Sequence, residues 1–254
     1  MPAQFEQLRI IIPTYNELDN LDPLLREFSR LRTDWGHPFE VVLIDDNSPD
    51  GTGLVARDLA GRYQIPVRVL IRQGRRSMGK AIAEGIDQCA GGIVCVMDAD
   101  LSHPPETIPD LMAALNGADG VIASRYVEGG RVAYWPRRRK FLSFAATAIS
   151  RILLRIPYKD PLSGFFLFRR SALSDVAMSG FGNKPLLEIL SQKAFTLREV
   201  PYQFKDRRNG ESKLGVRGVW EFVRLLVRLW RLARSRTAEK PHAQHHVLPL
   251  VGKP

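Results

Sequence analysis

Two aspartates one residue apart, Asp98 and Asp100, follow directly on the short apolar run GIVCVMD (Gly92–Asp98). Carboxylates so spaced at a strand end can both turn toward a hard cation, and Mg²⁺ or Mn²⁺ characteristically joins one or two carboxylates to substrate phosphates. A diphosphate platform is therefore plausible chemistry. Taken alone, Asp-x-Asp more often describes a solvated turn, because short motifs recur by chance. Two other acidic strand ends favour the platform. Asp45 and Asp46 close FEVVLID and open the turn-rich NSPDGTG, while Glu17 follows IIPTYN. One carboxylate of the Asp45–Asp46 pair can accept the N–H donors of a nucleotide base, and Asp50 caps or shapes the turn. Glu17 either joins the site or is a first-turn helix charge.

The elements that must hold these residues are legible from pattern. LRIIIP (Leu8–Pro13), FEVVLID (Phe39–Asp45), VRVLIR (Val67–Arg72), GIVCVMD and GVIASR (Gly120–Arg125) are unalternated apolar runs, read as strands buried on both faces. Stretches of helical spacing lie between them at Leu18–Leu31, Thr52–Tyr63, Met78–Cys89 and Pro105–Leu115. Alternating strand and helix predict a doubly wound α/β sheet, in which ligands bind beyond the carboxyl ends of the strands. All three acidic clusters fall there. After Arg125 the alternation stops. Helices are predicted over Lys140–Ile156, around Leu173–Ala177 and Leu186–Lys193, and over Val216–Arg234; strands are predicted at Phe165–Arg169 and Leu197–Phe204. The helix from Val216 carries Arg217, Arg224, Arg228 and Arg231 on one stripe beside Trp and Leu, which suits either a membrane interface or packing on the domain. The polar, Pro-punctuated 236–254 tail reads as disordered, and its His242, His245 and His246 receive no role.

Composition narrows the class. With 44% hydrophobic and 25% charged residues, the chain has material for a large core, so wholesale disorder is excluded. Two cysteines in apolar surroundings, Cys89 and Cys95, leave no zinc cluster and suit a reducing compartment. No secretory signal and no uncharged stretch of about 18 residues is visible, so the expectation is a cytoplasmic protein without a spanning helix. The net charge of +10 is unevenly spread: residues 1–130 carry −7, 131–170 carry +9 and 207–254 carry +8. Such asymmetry calls for a polyanionic partner, either nucleic acid or an anionic membrane. Aromatic–basic interleaving is thin and the DNA-reading motifs are absent, so no nucleic-acid partner is expected.

One stretch imitates a known motif. Gly74-Arg75-Arg76-Ser77-Met78-Gly79-Lys80-Ala81 nearly spells a phosphate-binding P-loop, with VCVMD in the place of its acidic strand. A P-loop needs Ser or Thr at position 81 to offer Mg²⁺ a hydroxyl, and alanine cannot.

Six ordered blocks carry a resemblance: IIPTYNE (Ile11–Glu17), VVLIDDNSPDGTG (Val41–Gly53), VMDADLSHPPE (Val96–Glu106), SRYVEGG (Ser124–Gly130), DPLSGFF (Asp160–Phe166) and EVPYQFKDRRNGESKLG (Glu199–Gly215). Together they resemble the dolichyl-phosphate (polyprenyl-phosphate) mannosyltransferase group of family 2 glycosyltransferases, over about residues 8–215. The resemblance implies a GT-A fold (Rossmann-like, a doubly wound mixed sheet) with C-terminal amphipathic interfacial helices. Residues 1–215 would be the catalytic domain, with 137–156 an interfacial helix, and 216–235 a basic amphipathic helix. It implies a nucleotide-sugar donor, GDP-mannose first, a polyprenyl phosphate acceptor and Mg²⁺ or Mn²⁺. By that likeness Pro13, Tyr15, Glu17, Ile44 and Asp46 hold the nucleotide, Asp98 and Asp100 take the metal and Ala99 lines the donor pocket. Arg125, Arg139, Arg207 and Lys213 would face phosphates. Of these, Arg125 and Arg139 would serve the acceptor, and with Asp100 would be the catalytic set. Ser102 stands where relatives often place Gln, so a hydroxyl or water would be the third metal contact. Asp160 would position sugar or acceptor, or cap a turn, and His103 would meet phosphate or make a local hydrogen bond.

The chemistry is coherent. A phosphate monoester has its second pKa near 6, so the acceptor oxygen is already anionic at neutral pH and needs no general base. A single in-line displacement with inversion follows. The basic WPRRRK (Trp135–Lys140) and the helix after it would lie on an anionic bilayer at the cytoplasmic face. Two rivals keep their place: a UDP-sugar donor, because Asp46 could accept from uracil as from guanine, and a non-catalytic nucleic-acid-binding module.

Overall fold

The apolar runs form strands because both of their faces are covered. The computed structural model describes residues 6–180, 182–205, 216–237 and 246–248. The chain runs β1 (Leu8–Thr14), α1 (Leu18–Trp35), β2 (Phe39–Asp45), α2 (Thr52–Tyr63), β3 (Val67–Ile71), α3 (Met78–Asp87), β4 (Ile93–Val96), α4 (Ile108–Ala114), β5 (Gly120–Ser124), β6 (Arg131–Val132), α5 (Arg137–Leu154), β7 (Phe166–Arg169), α6 (Pro185–Leu190), β8 (Thr196–Pro201), β9 (Gln203–Phe204), α7 (Val216–Thr237) and β10 (His246–Val247). Alternate residues of one strand enter different cores. Ile10 and Ile12 join Phe28, Val41 and Leu167 on one side, while Ile11 joins Val42, Val94 and Phe166 on the other. Each fully buried Phe, Leu or Ile contributes roughly 1.5–3 kcal/mol, so a two-sided core needs no alternation of polar residues.

Eight strands make one sheet in the order β10-β8-β5-β7-β4-β1-β2-β3, and β6 pairs with β9 apart from it. Strands β3, β2, β1 and β4 are mutually parallel. Strand β7 runs antiparallel between β4 and β5, with Phe166 level with both Val96 and Ile122. Its reversal has a consequence for the site. The segment entering β7 arrives at the same rim from which β1, β2, β4 and β5 leave.

Helix α1 buries Leu21, Leu24, Leu25, Phe28 and Leu31, the spacing of one helical face, and stops at Gly36, whose φ of 68° closes a left-handed cap. Helix α3 starts at Ser77, whose hydroxyl accepts from Lys80 N at 3.3 Å. Helix α5 is inverted. Its buried residues are Thr147, Ser150 and Leu154, and the two hydroxyls bond back to the carbonyls of Ser143 and Ala146. Phe141, Phe144, Ile149 and Ile152 point outward, between 53% and 79% exposed. Helix α7 packs Leu225, Leu226 and Leu229 into the core and leaves Val219, Trp220, Val223 and Val227 outside.

Three expectations need correction. The helix expected around Leu173–Ala177 is a short 3₁₀ turn at Arg170–Leu173. The strand expected over Leu197–Phe204 is two, β8 and β9, since Pro201 has no N–H with which to continue the ladder. The tail expected to be disordered contributes β10, whose His246 and Val247 pair with Thr196 and Leu197 and so cover the first residues of the outer edge of β8.

Candidate active site

The rim above β1 and β2 is a network of satisfied carboxylates. Asp45, buried, accepts from the hydroxyls of Thr14 at 3.0 Å and Ser48 at 2.5 Å and from Ser48 N at 2.9 Å. It shapes the turn. Asp50 does the same one loop later, accepting from Thr52 N, the Thr52 hydroxyl and Leu18 N. Burial pushes its carboxyl up, yet the Thr52 and Leu18 hydrogen bonds win and hold it below the ordinary value. Glu17 receives the Asn20 amide at 2.7 Å and gives its own N–H to Thr52 Oγ1 at 3.0 Å.

Asp46 has partners that the sequence reading did not assign. Its Oδ1 accepts from Arg72 Nη1 and its Oδ2 from Ser77 N at 2.8 Å. Arg72 also bonds Glu84 at 2.9 Å. Burial lowers the Arg72 pKa, but the hydrogen bonds from its guanidinium to Glu84 and Asp46 raise it above the ordinary value. The loop that resembles a P-loop is thereby tied to the nucleotide rim, and Arg76 from the same loop lies 3.9 Å over the ring of Tyr15. Arg72 directly follows β3 beside the acidic end of β2, a juxtaposition that the sheet order creates. Ile44 is wholly buried and laddered between Pro13 and Leu70, so it backs the nucleotide rim instead of meeting a ligand as the resemblance implied, and Pro13 is half-buried.

Beyond β4 the chain makes a tight turn with Leu101 at φ 60°, a conformation non-glycine residues enter only where surroundings enforce it. Ser102 enforces part of it. Its N–H and hydroxyl both donate to Asp100 Oδ1, at 3.0 and 2.6 Å, fixing the rotation of that carboxylate. Ser102 is wholly buried, so its hydroxyl supports Asp100 instead of opening onto the pocket. The Asp98 side chain keeps 25% exposure, and Asp98 N donates to His103 Nδ1 at 2.9 Å, which places the proton of a neutral ring on Nε2. Ala99 sits buried between them.

Arg125 is locked by Asp160. Its backbone N–H, Nε and Nη2 all donate to that carboxylate, at 3.0, 2.8 and 2.7 Å, and Asp160 has no solvent exposure. Burial disfavours the Arg125 cation, but the adjacent Asp160 charge prevails and raises its pKa further. Behind the pair, Glu199 accepts from the backbone N–H of Lys159 and Asp160 at 2.7 and 3.0 Å. Burial pushes the Glu199 carboxyl up, against hydrogen bonds that lower it. The turn-capping alternative for Asp160 thus becomes a bridge from the DPLSG segment to the end of β5. Arg139 lies near the start of α5, its guanidinium 4.0 Å over Trp135. Arg207 and Lys213 lie outside the described residues.

The donor set tests the implied ion. Among the described residues no three His, Cys, Asp or Glu side chains form a metal-binding group, so no closed protein cage is present. Two hard carboxylates, one of them rotationally fixed, suit an ion that takes its remaining oxygens from a diphosphate and water. Gly164 leaves room next to them, since a Cβ there would stand 3.7 Å from Asp98 Oδ2.

A family model described as glycosyl transferase family 2 matches residues 9–177. This chain belongs to that family. The glycosyltransferase is 42% identical to a dolichol-phosphate mannosyltransferase of Pyrococcus furiosus over 89% of this chain and 64% of the relative, so it spans under two thirds of that protein. It is 37% identical to a polyprenol monophosphomannose synthase of Mycolicibacterium smegmatis, over 81% of this chain and 80% of that one. In structure it is similar to a mannosyltransferase from Pyrobaculum calidifontis solved with GDP-Man and Mn²⁺, with a TM-score of 0.59 and 18% identity over 95% of this chain and 77% of the other. That likeness establishes a GT-A-type fold with a mixed sheet.

Proposed function

We propose that this glycosyltransferase moves mannose from GDP-mannose to a polyprenyl or dolichyl monophosphate, with Mg²⁺ or Mn²⁺, while lying on the cytoplasmic face of an anionic membrane. The observation that carries the reaction is the preset turn Asp98-Ala99-Asp100, aligned by Ser102 and His103 at the rim where Tyr15 and the Asp46 network also end. Asp98 and Asp100 would hold the ion, which when bound supplies charge to the departing nucleoside diphosphate. The names of the mannose-transferring relatives support the donor and acceptor.

The residues of this chain divide the remaining work. Tyr15, with Pro13 and Glu17 and backed by Ile44, receives the nucleotide, and Asp46 accepts from its base while steadying the loop through Ser77. The Arg125 charge is largely compensated by Asp160, so Arg125 fixes geometry at the acceptor phosphate more than it attracts the anion. Arg139, stacked on Trp135, adds a second cation at the acceptor phosphate, and Arg207 and Lys213 are assigned to the phosphates by the resemblance alone. The acceptor oxygen attacks as the anion it already is, in line with the departing diphosphate, and the sugar carbon inverts.

Membrane attachment is supported by the inverted helix α5. Its outward Phe141, Leu142, Phe144, Ile149 and Ile152 stand next to exposed Arg137, Arg138 and Lys140, and α7 adds Trp220 and Val223 with Arg224, Arg228 and Arg231. Apolar side chains in the headgroup boundary with cations among anionic lipids are the two terms that hold an interfacial helix. Among the described residues no helix is long and apolar enough to cross a membrane.

The deciding experiment is a donor screen with polyprenyl phosphate and Mn²⁺. Turnover of GDP-mannose, abolished by chelation and reduced at least 10³-fold by Asp100→Ala, is the expected result. Turnover of UDP-glucose alone would replace mannose in this account.

A further inference from the structure

The DPLSG segment is pinned at one end by charges and at the other by an aromatic wall. Asp160 is held by Arg125 and, through its backbone, by Glu199. Ser163 gives its hydroxyl to Ala123 O at 2.7 Å, so the segment cannot slide along β5. At the far end, a Cβ on Gly164 would stand 3.0 Å from His103 Cε1 and 3.7 Å from Asp98 Oδ2. The imidazole has little room to retreat. Phe165 stacks on it at 5.4 Å, and Tyr202 and Phe204 meet it at 6.0 and 5.7 Å. His103 is 2% exposed and its Nδ1 already holds the Asp98 N–H.

We infer that Gly164 and His103 are positioning residues for Asp98: the bare glycine sets how far the imidazole can lean, and the imidazole sets where the Asp98 backbone and carboxylate stand. The inference rests on the proposed role of Asp98 and Asp100 in holding a divalent ion. Neither residue touches substrate. Their effect reaches the reaction through the affinity of the ion's seat, where supporting groups typically change metal affinity 10–100-fold.

The test is Mn²⁺ titration of the full chain with GDP, followed by the electron paramagnetic resonance of free Mn²⁺, alongside melting temperature. Gly164→Ala, which pushes on the ring, and His103→Asn, which withdraws it while retaining an acceptor for Asp98 N, each weaken Mn²⁺ binding about tenfold or more. The double variant, in which the smaller Asn makes room for the added methyl, binds Mn²⁺ no more weakly than His103→Asn alone. Gly61→Ala, whose added Cβ meets nothing within 4 Å, leaves Mn²⁺ binding unchanged. Wild-type Mn²⁺ affinity in a folded Gly164→Ala or His103→Asn protein overturns the inference. Should Gly164→Ala fail to fold, His103→Asn alone decides. Failure of the unmodified protein to bind Mn²⁺ would instead overturn the metal reading on which the inference stands.

Discussion

The two halves of the sheet hold their functional residues by different means. In the β3-β2-β1-β4 half, most carboxylates are satisfied by hydroxyls and N–H groups of strand ends and the loops that follow them, as Asp45 is by Thr14 and Ser48, while Asp46 is also paired with a buried cation, Arg72. In the β7-β5-β8 half, the ties are a buried ion pair between Arg125 and Asp160 and a buried acid, Glu199, acting across some 35 to 40 residues. Around Asp45 and Asp50 the first half is a set of hydroxyl-satisfied turns that tolerate local change. The second is a single clamp whose parts fail together.

Substitutions should break this comparison unequally. Asp160→Ala leaves Arg125 buried without its counter-charge and should cost about 3–5 kcal/mol, read as a lowered urea midpoint. An equal loss from Asp45→Ala would erase the distinction between clamp and turns. A smaller effect is expected away from both halves. Replacing Phe141, Phe144 and Ile152 of α5 together by Ser should leave the melting temperature within a few degrees and reduce flotation with anionic vesicles several-fold, most clearly at high salt. Unchanged flotation would remove α5 from the membrane account. The smallest effect is titrational. Because the folded Asp50 carboxyl lies below its ordinary 3.8, the folded state binds fewer protons, so its stabilisation is complete above that value and is lost as pH falls through the folded pKa. Asp50→Asn should flatten the acid limb of a stability–pH curve by under about 1 kcal/mol, since the group is largely exposed.

The same division explains what the sequence made legible. Five strands and their order of alternation followed from unbroken apolar runs, and Asp98, Asp100, Asp45 and Asp50 were found because strand-end carboxylates are a local pattern. The reversed β7 was not legible, because FFLFR reads alike in either direction. Nor was the Arg125–Asp160 pair, since charge complementarity across 35 residues has no periodic trace. The engagement of Asp46 by Arg72 needed the neighbouring positions of β2 and β3, which only the sheet order supplies. The outward apolar face of α5 lies within the 137–156 segment that the resemblance made an interfacial helix. Its Ser and Thr hydroxyls turn inward at little cost because they bond to their own helix.

The pairing of His246–Val247 alongside β8 also bears on how copies of this protein behave in a crowded solution. An uncovered border of a sheet is a template on which a stranger's backbone can zip, and a two-residue border is too short to serve as one. Removing His246 and Val247 would uncover Thr196 and Leu197, lengthen the open border of β8 and invite self-association, even though this pairing lies at the end of β8 away from the catalytic rim.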